Sequence, residues 1–287
     1  MDDATALALA LGLFSAVTLA TVNLMVKMSA DILVGRALLS ASSAVLILPF
    51  AFVVPAPDAA TWEALALTIP AHFFYQVCLV RAMNRGDLSL VFPVMRGVAP
   101  LFTAGAAFLL LNEALSPLAV FGLLVATASV IIFALPARGL SLLRHPEAGA
   151  LGWAAATAVG IALYNVTDAR GVRIAPSAFT YIVWLFLLDW ICITISAVAL
   201  RRRLLIPTLR ANWRYGVGAG LLSIFSFGSA LYAYRLMEAA RVSALRETSV
   251  VFAAIFGAWL LKEGFGRRRV IAAASLAFGL ILMQFGD

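Results

Sequence analysis

The stretch Ala244–Val251, "ALRETSVV", sets an arginine beside a glutamate inside a run of about 20 residues, 242–261, that holds no other charge. In water the pair would need no account. Near the centre of a membrane-spanning helix each such charge costs roughly 2.5–3.5 kcal/mol on insertion scales. Composition decides which solvent applies. Of 287 residues, 63% are hydrophobic and 12% charged, and mean hydropathy is +1.01. A soluble domain is nearer half apolar and a quarter charged. Apolar runs of spanning length recur at about 5–26, 32–54, 62–84, 88–111, 117–136, 150–169, 176–200, 215–237, 241–261 and 270–285. They are too long, and alternate too little, for barrel strands, which leaves helix as the spanning element. Short connections join them, the longest being the Pro-containing polar segments Pro136–Gly149 and Arg201–Arg214. The expected fold is an all-α membrane protein of ten transmembrane helices.

The first run, in "MDDATALALALGLF", lacks the basic region of a cleaved signal peptide, so span 1 is expected to be retained. Cys78 and Cys192 fall within spans and read as packing residues rather than a disulfide framework. The net charge of +7 reads as topology, not nucleic-acid binding. With ten spans, fifteen Lys and Arg fall on one side and four on the other, with Arg96 and Arg246 inside spans. The richer side, which includes Arg36 and the "RRR" clusters at 201–203 and 267–269, is expected to face the cytoplasm. Both termini would then lie outside.

Shifting the chain by 150 residues lays the opening stretch on another. "VMRGVAPL" (94–101) falls on 244–251, so that Arg96 matches Arg246. "FLLLNEALSPLAVFG" (108–122) falls on "AWLLKEGFGRRRVIA" (258–272), matching Glu113 with Glu263. Each unit holds five spans, an odd number, so the second enters the membrane inverted. The expected organisation is a five-helix repeat over 1–136, a cytoplasmic linker over 137–149 and an inverted five-helix repeat over 150–287. Inverted repeats are a signature of secondary transporters, in which two halves expose a midplane site alternately.

These features resemble the drug/metabolite transporter superfamily, and within it the EamA-domain branch. The resemblance rests on ten spans, two five-span repeats, and the "LLNE" and "LLKE" motifs at the ends of spans 4 and 9. It covers essentially the whole chain, and length and pattern are most similar to bacterial aromatic amino-acid exporters. The expectation is a bacterial inner-membrane transporter without cofactor or metal, with a monomer as one possible state. It also implies structural roles for Glu113 and Glu263, in capping and boundary contacts. One departure stands out: the small multidrug branch couples protons through a glutamate in its first helix, and "TALALALGLFSAVTLATVNLMV" holds no acid. Its counterpart, span 6, has only Asp168 near its end.

Four charges remain at membrane depth: Arg96, Asp189, Arg246 and Glu247. They sum to zero and could simply pair. Neighbouring residues on a helix point about 100° apart, however, so Arg246 and Glu247 cannot both satisfy each other. At least one is expected to face a cavity between the halves. Pro93 and Pro100 in "FPVMRGVAP" remove helical hydrogen bonds, and Pro100 frees the carbonyl of Arg96. Span 4 is therefore expected to bend, with these prolines as hinges, where span 9 stays straight. His72 and Gln76 share a face of span 3, with Tyr75 beside them. Asn23, Tyr164, Asn165, Trp184 and Ser249 complete the polar and aromatic candidates. Singly, each would more often serve interhelical packing. Together they suit a zwitterion with an apolar side chain: arginine for the carboxylate, an acid for the ammonium, rings for the rest. Gly122/Ala126 and Ser275/Gly279 read as close-packing stripes.

The leading expectation is thus export of amino acids, aromatic or otherwise apolar, and related small metabolites. The runner-up uses Arg96 and Arg246 for phosphorylated metabolites, or carries drugs. An intramembrane enzyme ranks last: there is no GxSxG, and His72 is the one histidine within a span. No P-loop motif occurs, so the chain itself offers no nucleotide-driven engine.

Overall fold

The computed structural model describes residues 3–27, 31–86, 88–134, 148–252 and 267–285, and all regular structure among them is helical. The helices are α1 (Asp3–Lys27), α2 (Ile32–Ile47), α3 (Ala59–Met83), α4 (Leu88–Leu111), α5 (Pro117–Ala134), α6 (Ala148–Ile174), α7 (Ala178–Leu236), α8 (Ala239–Arg246) and α9 (Arg267–Phe285). Helix starts follow capping chemistry. Asp31 accepts the Val34 amide at 3.1 Å, Asp58 the Thr61 amide at 2.9 Å, and Ser177 the Phe179 amide at 3.1 Å. The Thr61 hydroxyl, 2.6 Å from Asp58, and the Thr61 amide hold that carboxyl below the usual carboxylate range. Ser116 accepts the Ala119 amide just ahead of Pro117 at the first helical position. Pro49 ends α2 as an α-helix and passes the chain into the 3-10 turn Leu48–Phe52.

Among the described residues, six helices are long and apolar enough to cross a membrane, and Pro117–Ile132 and Ile271–Gln284 are shorter apolar helices. Large apolar side chains face outward, such as Phe52, Leu109, Ile195 and Ile271, while Thr68, Gln76, Asn165 and Asp168 are buried. That distribution inverts the soluble pattern and fits a bundle whose outer solvent is hydrocarbon. Cys78 is buried, Cys192 is half-buried, and both are free thiols.

Two expectations are corrected. The polar segment Arg201–Arg214 is helical rather than a loop: α7 runs 59 residues, broken only at Arg201 (φ −133°, ψ 26°). Arginine and leucine are strong helix formers, and the outward-facing backbone around Pro207 can be hydrated. The two arms, 178–200 and 202–236, nevertheless fold back on each other. Phe179 meets Tyr232 (ring centroids 5.7 Å apart) and Phe186 meets Phe227 (6.3 Å), an antiparallel order. The expectation that span 9 stays straight is overturned. α4 is unbroken through Pro93 and Pro100, whereas α8 stops at Arg246. There the bonds tighten to i→i−3, Glu247 to Ala244 at 3.0 Å and Thr248 to Leu245 at 3.1 Å. The Thr248 hydroxyl also takes the Leu245 carbonyl at 2.7 Å. Helix resumes at 249–252; the remainder of span 9, with the "LLKE" motif and Glu263, lies outside the described residues.

Helix contacts link the two halves of the chain. α3 lies against α6, where a Cβ on Gly160 would come 2.9 Å from the Tyr75 Cα. α1 lies against the second arm of α7, with the Ser226 hydroxyl donating to the Ser15 carbonyl at 2.9 Å. Leu33 and Ala37 of α2 pack with Ile193 and Ala197 of α7. α5 and α9 meet backbone to backbone: a Cβ on Gly279 would sit 2.6 Å from the Ala126 nitrogen and 2.7 Å from the Gly122 oxygen. The two small-residue stripes read from the sequence are therefore one interface. Gly279→Val should destabilise the protein by roughly 1–3 kcal/mol as this contact is forced apart. Gly105→Ala, whose Cβ meets nothing within 4 Å, should not. Thermal unfolding of the two variants in detergent reads the difference.

Candidate functional site

A cavity of about 80 Å³ opens between the halves. Arg36, Ser40 and Ser43 of α2, His72 and Tyr75 of α3 and Tyr164 of α6 line it. So do Phe186, Asp189, Ser223, Ser226 and Phe227 from both arms of α7, Arg246 at the end of α8, and Leu19 and Val22 of α1. The space is well above the roughly 10–15 Å³ that a single water needs. Its wall is aromatic. Tyr164 lies 4.6 Å from His72, 5.1 Å from Tyr75 and 5.8 Å from Phe227, centroid to centroid. Both arginines stack on this wall, Arg246 at 5.2 Å from the Phe227 ring centre and Arg36 at 5.8 Å from that of Tyr75. The Nε atoms of Arg36 and Arg246 are buried without an acceptor, and neither guanidinium has a carboxylate ion pair among the described residues. Tyr234 lies within hydrogen-bonding reach of Arg246.

Five sequence candidates thus meet around one chamber: His72, Tyr75, Tyr164, Asp189 and Arg246. Others support it from behind. Gln76 donates to both Asp189 oxygens, at 2.9 and 3.1 Å. Arg96 does not reach the cavity; it meets Glu247 at 3.4 Å, joining α4 to the turn after α8. The adjacent Arg246 and Glu247 therefore point to different partners, one to the chamber and one to the opposite half. Asn165 also lies behind the wall, donating to Thr103 and Ser243, both at 3.1 Å, and accepting from Tyr234 at 2.7 Å. Trp184 packs edge-on against Trp62, and Ser249 is buried with its hydroxyl unpartnered; neither lines the cavity. The side chains of Asn23 and Pro93 lie outside the described residues.

Two charged residues that the sequence placed at boundaries are interior. Arg36 shares a helix face with Ser40 and Ser43, an i, i+4, i+7 stripe that marks it as inward-facing. Asp168 is fully buried and follows Tyr164 by four residues on α6. It lies 3.0 Å from His72 Nε2 and accepts from the Tyr181 hydroxyl at 2.9 Å. Across the ring, His72 Nδ1 lies 3.4 Å from Asp189.

One end of the bundle is closed by the "LLNE" motif. Asn112 turns the chain at φ 54°, a conformation asparagine tolerates, and so directs Glu113 inward. One carboxylate oxygen takes the Arg173 guanidinium, and the other accepts the Ala239 amide at 2.9 Å, capping α8. Arg173 also donates to the carbonyls of Tyr234 (2.8 Å) and Met237 (3.0 Å) at the end of α7.

A polar chamber enclosed by an apolar-faced helical bundle is the layout of a small-molecule membrane transporter. Residues 148–285 match the model of the EamA-like transporter family, part of the drug/metabolite transporter superfamily. No curated protein matches the sequence. Among 29 solved chains that match, one crystal structure has a TM-score of 0.77 at 17% identity. It covers 100% of this chain and 99% of its own, so the two share a fold.

Glu113→Ala should remove roughly 1.5–3 kcal/mol of stability, because it leaves Arg173 without its carboxylate and the first α8 amide without an acceptor. Glu113→Gln, which keeps an acceptor oxygen, should lose less. Unfolding midpoints of the two variants in one detergent provide the comparison.

Proposed function

We propose that the protein is a secondary transporter exporting amino acids, aromatic or otherwise apolar, and related small metabolites across a bacterial inner membrane. In this reading ten spanning helices form two inverted five-helix repeats, 1–136 and 150–287, joined by the linker 137–149. The repeats rock about the chamber to give alternating access. The helix contacts support the two-fold relation. The α3–α6 contact and that of α1 with the second arm of α7 exchange when the halves exchange, while α4 with α8 and α5 with α9 pair each element with its own counterpart. The basic side faces the cytoplasm, with both termini outside, on the charge asymmetry alone.

The carrying observation is the chamber's complement among the described residues: two arginines without carboxylate partners, one carboxylate, Asp189, and a wall of four aromatic rings, Tyr75, Tyr164, Phe186 and Phe227. A free amino acid brings the matching groups, a carboxylate for guanidinium, an ammonium for Asp189 and an apolar side chain for the rings. The pairing of two arginines also favours a second reading, a phosphorylated metabolite, for which both guanidiniums would clamp one phosphate. Drug transport draws on the aromatic wall alone.

Purified protein in vesicles, offered labelled aromatic, aliphatic and charged amino acids and a sugar phosphate, tests these readings. Saturable aromatic amino-acid uptake is expected. Arg246→Ala should weaken it about 10- to 100-fold in KM, the loss of a charge-assisted bond of roughly 1.5–3 kcal/mol. Uptake of the phosphate alone would favour the second reading. Uptake untouched by the substitution would make Arg246 a packing residue.

A further inference from the structure

We infer that Asp168, His72 and Asp189 form a proton-binding relay, and that its proton is exchanged against the transported zwitterion. The inference rests on the amino-acid reading for its substrate, but its geometry stands apart from it. Three ionisable side chains from three helices, α6, α3 and α7, form one line from a fully buried carboxylate to one that opens on the chamber. Asp168 has no exposure, the His72 side chain is 8% exposed and that of Asp189 is 19% exposed.

The contacts fit one arrangement of the protons, with both carboxylates ionised. From one end, Tyr181 donates to Asp168 Oδ1, so the 2.8 Å contact between Thr68 and Tyr181 must run from threonine to tyrosine. From the other end, the Gln76 amide donates to both oxygens of Asp189. Both carboxylates thus accept from neighbours, and the same imidazole faces each of them, hydrogen-bonded to Asp168 at 3.0 Å and at ion-pair distance, 3.4 Å, from Asp189. A neutral imidazole carries one N–H, and its other nitrogen would set a lone pair against a carboxylate oxygen. Both contacts are satisfied when the ring carries both protons. The trio then holds one proton more than a neutral ring between two carboxylates would, and its net charge is minus one.

The surroundings suit a proton that leaves. Tyr164 of α6 stacks on His72, Tyr75 and Gln76 flank it on α3, and Arg36 of α2 and Arg246 of α8 share its chamber. Phe227 faces the ring from the second arm of α7, and among the described residues α1 brings Leu19 and Val22 to the cavity. Of the two carboxylates, Asp189 is the one that lines the cavity. When an ammonium docks there, it takes the place of the His72 Nδ1–H as the positive partner of that carboxylate. The proton passes from Nδ1 through Asp189 to cavity water, and the ring returns to one N–H, donated to Asp168. Charge balances: the trio falls from minus one to minus two, and the ammonium restores minus one. Proton and substrate therefore exclude each other at Asp189, which is the condition for antiport. This places the coupling group on α3, α6 and α7 rather than on α1, which carries no acid beyond Asp3 near its start.

Two measurements test it. Protein is reconstituted into phosphatidylethanolamine–phosphatidylglycerol vesicles with the membrane potential clamped by potassium and valinomycin. Phenylalanine counterflow at equal pH is compared with uptake driven by an interior about two pH units more acid, a roughly hundredfold proton ratio. The gradient should raise wild-type uptake about tenfold. Asp168→Asn and His72→Gln should cut the ratio of gradient-driven uptake to counterflow about tenfold, and the milder Tyr181→Phe about threefold. Wild-type counterflow with no response to the gradient would overturn the proposal. Absence of counterflow for every amino acid would instead sink the amino-acid reading. The relay is then judged by its ring alone. The chain has 2 histidines, so ¹⁵N spectra of histidine-labelled protein, with His72→Gln to assign the signal, report its state. A doubly protonated ring near neutral pH that becomes a single tautomer in Asp189→Asn is expected. A neutral wild-type ring under the same conditions would refute the relay whatever the transport result.

Discussion

Inside an apolar bundle no water is at hand to satisfy a carbonyl, an amide or a charge, and the architecture follows from how that want is met. The chain concentrates its buried polar groups where the two halves meet. The Gln76 amide nitrogen finds Asp189, Asp168 finds His72 and Tyr181, and Arg96 meets Glu247, each contact joining different helices. Broken singly, such pairs strand a charge in low dielectric, which is far costlier than the pair is stabilising. They therefore act mainly as locks on helix register. The apolar residues, freed from that task, cover the outside.

The same want of water governs the helix ends. Glu113 and Arg173 together supply the acceptor for the first amide of α8 and donors for two carbonyls at the end of α7. One ion pair thus stitches together three helices and the chain reversal between α7 and α8. At the opposite edge Arg201, at the break in α7, meets Asp31, the residue that caps α2, at 2.9 Å. That contact is more exposed, and a surface ion pair of this kind contributes little, roughly 0–1 kcal/mol. The two edges of the bundle are unequally fastened.

The helical bundle was legible because apolar runs of spanning length leave helix as the one way to satisfy the backbone. The close pairing of Gly122 and Ala126 with Gly279 was legible because small residues four apart mark backbone contact. Depth was harder to read. Asp168 looked like the boundary of its run, yet α6 continues to Ile174, since Arg173 finds Glu113 and need not end the helix. Arg36 was counted among loop charges because it lies five residues from a helix start; its face, not its distance from the end, decides where it points. The break after Arg246 was hidden too. Proline is the visible breaker in sequence, but a threonine hydroxyl on a carbonyl, with neighbouring charges drawn to different partners, does the same with no proline present.

α8 is two turns long, about 12 Å, and is gripped at both ends. Its first amide is held by Glu113 at the edge of the bundle, and its last residue, Arg246, reaches into the chamber beside the Glu247–Arg96 bridge. So short a rod does not bend over its length; it can only tilt or turn. An occupant that draws on Arg246 therefore pulls on the clasp at the rim, and a loosened clasp displaces Arg246. In the transporter proposed above, the helix would act as a lever, with the substrate's hold on one arm and the closure of the bundle on the other.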